Sequence, residues 1–173
     1  MPLRLLRINY AALRYPGQDP LAEPGHWRLY APCTQADANT CQLLHNIAFM
    51  QDGRDRKAAL AALHKLIQVA ASGKPLQVFY DEKQCHDIHR FRYDGQERVL
   101  WRIRHNAIRI VFYYGKGRLI LLADALVKRK DTLSTAEKSA LERQVATFLD
   151  AEKASQLEPF ELQAPPAHPG ASP

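Results

Sequence analysis

The chain has 173 residues, 46% hydrophobic and 24% charged, with a formal net charge of +6. That length holds one core with little room for a second, and the composition is that of an ordinary globular chain rather than a disordered or fibrous one. No apolar run approaches the roughly 20 residues of a membrane span, so a partner other than the membrane is expected.

The N-terminal MPLRLLRINYAALRYP is interrupted by Arg4 and Arg7, which argues against a secretory leader. Cys33, Cys41 and Cys85 are odd in number and lack paired-motif spacing. That usage points to a reducing, cytoplasmic setting. Cys85, His86 and His89, with Cys33 or Cys41, offer no second tight pair, so neither metal nor cofactor is expected.

Residues 1–26 carry Pro2, Pro16, Pro20 and Pro24 and read as an irregular arm, with room for one short strand at 5–10. HWRLYAP at 26–32 suits a first core strand. Thr34 or Asp37 can cap a helix running to about Met50, with Leu43, Leu44, Ile47 and Met50 on one face. Gln51-Asp52-Gly53 breaks it, and a second helix over 54–72 carries Leu60, Leu63, Ile67 and Ala70 as its apolar stripe. Gly73 and Pro75 fit its end. The two form a helical hairpin.

A short extended link at 76–80 leads to 85–93, where CHDIHRFRY alternates as a strand does. Asp94-Gly95 is a turn signal. Three strand-like runs follow, over 99–104, 107–114 and 118–127. In the first, Val99, Trp101 and Ile103 share one face, and Leu100, Arg102 and Arg104 share the other. The third is nearly all apolar, as in a strand buried on both faces. Ser134-x-x-Glu137 is a capping box opening a helix over 134–150 with Leu141, Val145, Phe148 and Leu149 as its packing face. From residue 153 the chain turns Pro- and Ala-rich and reads as a disordered tail. The domain proper is thus 27–152.

Charge is unevenly placed. Between His86 and Lys130 stand eleven Lys and Arg against four acids, while the rest of the chain holds 13 basic and 14 acidic residues. A concentrated positive segment is the electrostatic footprint of a polyanion partner, and fixed arginines on a sheet suit phosphate. The competing reading is a solvated sheet face whose cations discourage aggregation. Arg102 and Arg109 are the candidate phosphate clamps, and Lys128, Arg129 and Lys130 follow the last strand and can approach the same phosphate.

The same stretch resembles a known family. Leu100-Trp101-Arg102-Ile103-Arg104, then Ile108-Arg109-Ile110-Val111-Phe112-Tyr113, then Leu126-Val127-Lys128-Arg129 are similar to successive elements of RelE/HigB-type toxins of type II toxin–antitoxin modules, in the RelE/ParE superfamily. The close match covers about 98–150. Arg102 stands where the family has an acidic residue and Leu126 where it has Phe.

The resemblance implies an α+β fold: an antiparallel sheet of four or five strands, an N-terminal helical hairpin and a C-terminal helix. It implies a toxin that cleaves mRNA on the ribosome without a metal and is neutralised by a cognate antitoxin. Arg109, Lys128 and Arg129 would be catalytic, with Arg102, Arg104, His105 and Lys130 binding RNA. The acid/base Tyr or His of some relatives has no counterpart after Lys130, leaving Tyr113 and His105 as substitutes. The alternatives are a non-catalytic relative of the same fold that binds protein, such as a gyrase inhibitor, and a plain nucleic-acid-binding domain.

Overall fold

The computed structural model describes residues 2–128 and 132–163. Strand β1 (Leu3–Arg7) and β2 (Arg28–Cys33) come first, followed by a 3-10 turn, helix α1 (Gln42–Ala48) and helix α2 (Gly53–Ala71). Then come β3 (Cys85–Tyr93), β4 (Gln96–His105), β5 (Ile108–Tyr114), β6 (Leu119–Val127), helix α3 (Thr135–Lys153) and β7 (Leu157–Phe160). Among the described residues seven strands join one mixed sheet in the order β3-β4-β5-β6-β2-β1-β7. No helix among the described residues is long and apolar enough to cross a membrane.

This corrects the expected fold. The class is α+β, but the sheet has seven strands rather than four or five, and it is not purely antiparallel. Strand β2 runs parallel to β6, and β7 runs parallel to β1. Two strands precede the helices, so the helical pair is not N-terminal. Its first member has only seven residues. The local cause lies in 34–40: the Thr40 hydroxyl donates to the Gln35 and Asp37 carbonyls, and Asp37 accepts from Asn39 N–H. These side chains offer the backbone a turn in place of a helix.

The other punctuation behaves as expected. Asp52 accepts from Arg54 N–H to cap α2. Gly73 has φ +72°, and a Cβ there would run into the Pro24 carbonyl. Only glycine allows α2 to end this close to the returning arm. Asp94 and Gly95 both have positive φ in the β3–β4 turn, the geometry of a tight hairpin. Ser134 and Glu137 form the full capping box.

Each face of the sheet is covered. On one side α1 and α2 pack over Ile103, Ile108, Ile110, Phe112, Ile120 and Leu122. On the other, α3 brings Leu141, Val145 and Phe148 onto Leu100, Val111, Tyr113 and Leu121. A hydrogen bond between His89 and Glu142 (2.9 Å) and an ion pair between Lys153 and Asp94 (2.6 Å) hold α3 to the β3–β4 side.

Both segments expected to be irregular contribute strands. The arm supplies β1, which lies inside the sheet between β2 and β7. The tail supplies β7, whose Glu158 pairs with Arg4 at 3.5 Å. Beyond it, Asn9 donates to Glu161 and to the Leu162 carbonyl. An unpaired β1 edge would leave a row of backbone donors and acceptors open, and β7 closes it.

Candidate nucleic-acid interface

Alternation along β4 and β5 decides where the arginines point. Arg102 and Arg104 share the face of Leu100, and Arg109 shares that of Val111 and Tyr113, so these three arginines and Tyr113 lie on the α3 side. His105 falls on the opposite face with Ile103. It lines a small cavity with Lys65, Tyr80 and Ile103 on the α2 side. The expected set is therefore divided between two faces.

Burial separates them further. Arg102 is 1% exposed and Arg109 is 3% exposed, whereas Arg104 is exposed. The Arg102 guanidinium donates to the Lys83 carbonyl at 2.8 Å and to His86 Nε2. His86 Nδ1 in turn lies 2.6 Å from the Asp87 carbonyl. Arg109 donates to the Asn106 and Ile108 carbonyls at 2.8 and 3.1 Å. These two arginines tie β3 to β4 and close the β4–β5 turn. Tyr113 is 6% exposed, stacked edge-on against Phe148, and its hydroxyl accepts from Arg98 at 3.2 Å.

Three basic residues stand at neighbouring strand ends. Arg104 lies directly opposite Arg109 in the β4–β5 register, and Lys128 N–H donates to the Ala107 carbonyl of the turn between them. The end of β4, the start of β5 and the end of β6 thus share one corner of the sheet. Lys128 is already engaged, its Nζ 2.6 Å from Glu137 Oε1. Burial opposes ionisation of Glu137, but Lys128 and the Ser134 N–H and hydroxyl outweigh it and hold its carboxyl below the usual range. Arg129 and Lys130 lie outside the described residues.

One feature escaped the sequence reading. Strand β2 pairs with β6 only over Arg28–Tyr30, and Pro32, which has no N–H, lies beyond the pairing. Near this fork is a cavity of about 650 Å³ lined by Pro32, Gln42, Asp124, Leu126, Glu137 and Arg143, among others. Asp124 accepts from the Asn46 amide at 3.0 Å. Burial pushes its carboxyl up, against the Asn46 and Ala125 hydrogen bonds, and the Glu137 charge adds to the rise. Two carboxyls whose environments drive their pKa values apart thus line one cavity, an arrangement suited to proton transfer. Asp124 is the only charged residue in β6, and that was its only signal in the sequence.

Among the described residues no group of three or more His, Cys, Asp or Glu is placed to hold a metal. Compared with protein-family models, curated proteins and solved structures, the chain has no match.

Proposed function

We propose that the chain is the toxin of a type II toxin–antitoxin module, a cytoplasmic endoribonuclease that cleaves mRNA on the ribosome without a metal and is restrained by a cognate antitoxin. The observation that supports this most is that Arg104, Arg109 and Lys128 come from neighbouring ends of three successive antiparallel strands. The reading rests on residues 98–128, which carry the resemblance, and not on the size of the sheet. In such a site the ribose 2′-OH attacks its own phosphate in line, cations stabilise the phosphorane, and a neighbouring group moves the proton. Arg104 is the exposed cation that RNA would meet first.

A second reading, a non-catalytic relative that acts by binding a protein such as gyrase, is favoured by the commitment of the cations. Arg109 is 3% exposed and Lys128 is neutralised by Glu137. Incubating the purified chain with an mRNA fragment in EDTA separates the readings. The ribonuclease leaves a 2′,3′-cyclic phosphate and is blocked by a 2′-deoxy nucleotide at the cut. RNA retention without cleavage, weakening steeply with salt, marks a nucleic-acid-binding domain. No RNA effect, with harmless overexpression, would leave only the non-catalytic relative.

A further inference from the structure

Spacing alone gives Cys33 and Cys41 no partner, yet the fold sets them opposite each other. They form an antiparallel bridge, Cys33 ending β2 and Cys41 standing immediately before α1. Thr34 N–H donates to the Thr40 carbonyl at 3.4 Å. A bond in that position flanks a pair in the non-hydrogen-bonded register, in which Cα atoms lie ~4.5 Å apart and side chains come closest. That spacing falls inside the window of about 4.4–6.8 Å that a disulfide needs.

Both thiols are free, and both belong to the core cluster on the α1 and α2 side, at 5% and 0% exposure. The Cys33 thiol donates to the Ala31 carbonyl at 3.9 Å. Burial and the neighbouring Cys41 hold the proton on Cys33, and the neighbouring Cys33 favours Cys41 as the first to ionise, against burial. Cys85 is the natural control: burial pushes its thiol up to about 11, against the pull of Arg102, and no cysteine is paired with it in the sheet.

We propose that Cys33 and Cys41 are a redox modification site, a dithiol that closes to an intramolecular disulfide when offered a low-molecular-weight disulfide. The Cys41 thiolate attacks one sulfur of the small disulfide, breaking its S–S bond and releasing one small thiolate. Cys33 then gives up its proton, attacks Cys41 Sγ in the mixed disulfide and expels the second small thiolate. Two protein thiols are oxidised by two electrons, and one small disulfide is reduced to two thiols. The bridge joins the end of β2 to the start of α1, the helix whose Gln42 and Asn46 reach the cavity and Asp124. Because both cysteines are buried, the exchange waits on local opening of the connection between them and runs slower than in the unfolded chain.

The test treats the folded full-length chain with glutathione disulfide, blocks remaining thiols, and maps peptides by mass. The expected product is lighter by two hydrogen atoms per chain, with the Cys33 and Cys41 peptides joined, Cys85 blocked by the alkylating agent once unfolded, and full reversal by dithiothreitol. Its Tm should rise on the order of 5 °C. Cys33→Ser and Cys41→Ser should each abolish the cross-link, and the mapping of the unsubstituted chain stands even if one variant folds poorly. Three free thiols after prolonged oxidation of the folded chain would overturn the proposal, as would a cross-link through Cys85.

Discussion

Lys128 Nζ lies 2.6 Å from Glu137 Oε1, which binds the residue after β6 to the first turn of α3. The same carboxylate accepts from Ser134 N–H at 2.8 Å, so one side chain serves as helix cap and ion-pair partner. Glu137→Gln keeps the capping-box acceptor but removes the charge. It should cost about 1 kcal/mol at neutral pH, read by urea denaturation. The folded pKa of Glu137 is lowered, so its contribution is present above the unfolded value and lost as pH falls through the folded one. The two stability curves should therefore converge in acid. Parallel curves down to the lowest pH would show that the pair contributes nothing.

Asp124 has the opposite sign. Its folded pKa is raised, chiefly by burial, so its favourable contribution is complete below the unfolded value and lost as pH rises through the folded one. Ionised Asp124 is then a burden at neutral pH. Asp124→Asn keeps an acceptor for the Asn46 amide and should be more stable than the unsubstituted chain at pH 7. The gain should vanish below about pH 4. Denaturation midpoints across that range check it, and a variant less stable at pH 7 would contradict it.

The two facing arginines should separate function from folding. Arg109→Ala strips bonds from two backbone carbonyls near the β4–β5 turn and should cost roughly 2–4 kcal/mol. Arg104→Ala removes an exposed side chain and should stay within about 0.5 kcal/mol in stability. If RNA is the ligand, Arg104→Ala should weaken binding and lower the salt slope by about one. Unchanged RNA affinity in this variant would remove Arg104 from the interface.

Ending the chain after Ser155 should be harmful. It deletes β7 with Leu157 and Phe160, the Arg4–Glu158 pair and both acceptors of the Asn9 amide. The lost apolar burial amounts to about 3 kcal/mol, and the freed β1 edge invites strand pairing between molecules. Light scattering and thermal melting read both effects. A truncated chain that melts like the full one would mean that β7 adds nothing.

The sequence by itself determined the local pieces. Alternation at 99–114 gave β4 and β5 their faces, Asp94-Gly95 their incoming turn, Gly73 the end of α2, and Ser134 with Glu137 the start of α3. Each is a property of residues a few positions apart, where dihedral preference and side-chain period act directly. The candidate site was legible to the same depth: the face of each arginine followed from its period, its accessibility did not.

Tertiary structure decided what lay between distant segments. A two-residue period assigns a side chain to a face but does not say what covers it, so Arg102 and Arg109 looked like surface cations until the fold buried them against Lys83, His86 and the β4–β5 turn. Nor does it name a strand's neighbour. The parallel pairing of β2 with β6, the insertion of β1 and the docking of β7 depend on contacts between segments remote in the chain. The same holds for Cys33 and Cys41, whose spacing matches no paired motif and whose register is set by the turn between them. Burial of apolar surface is non-directional and acts on the whole assembly, so these choices belong to the packed chain and not to any local stretch of it.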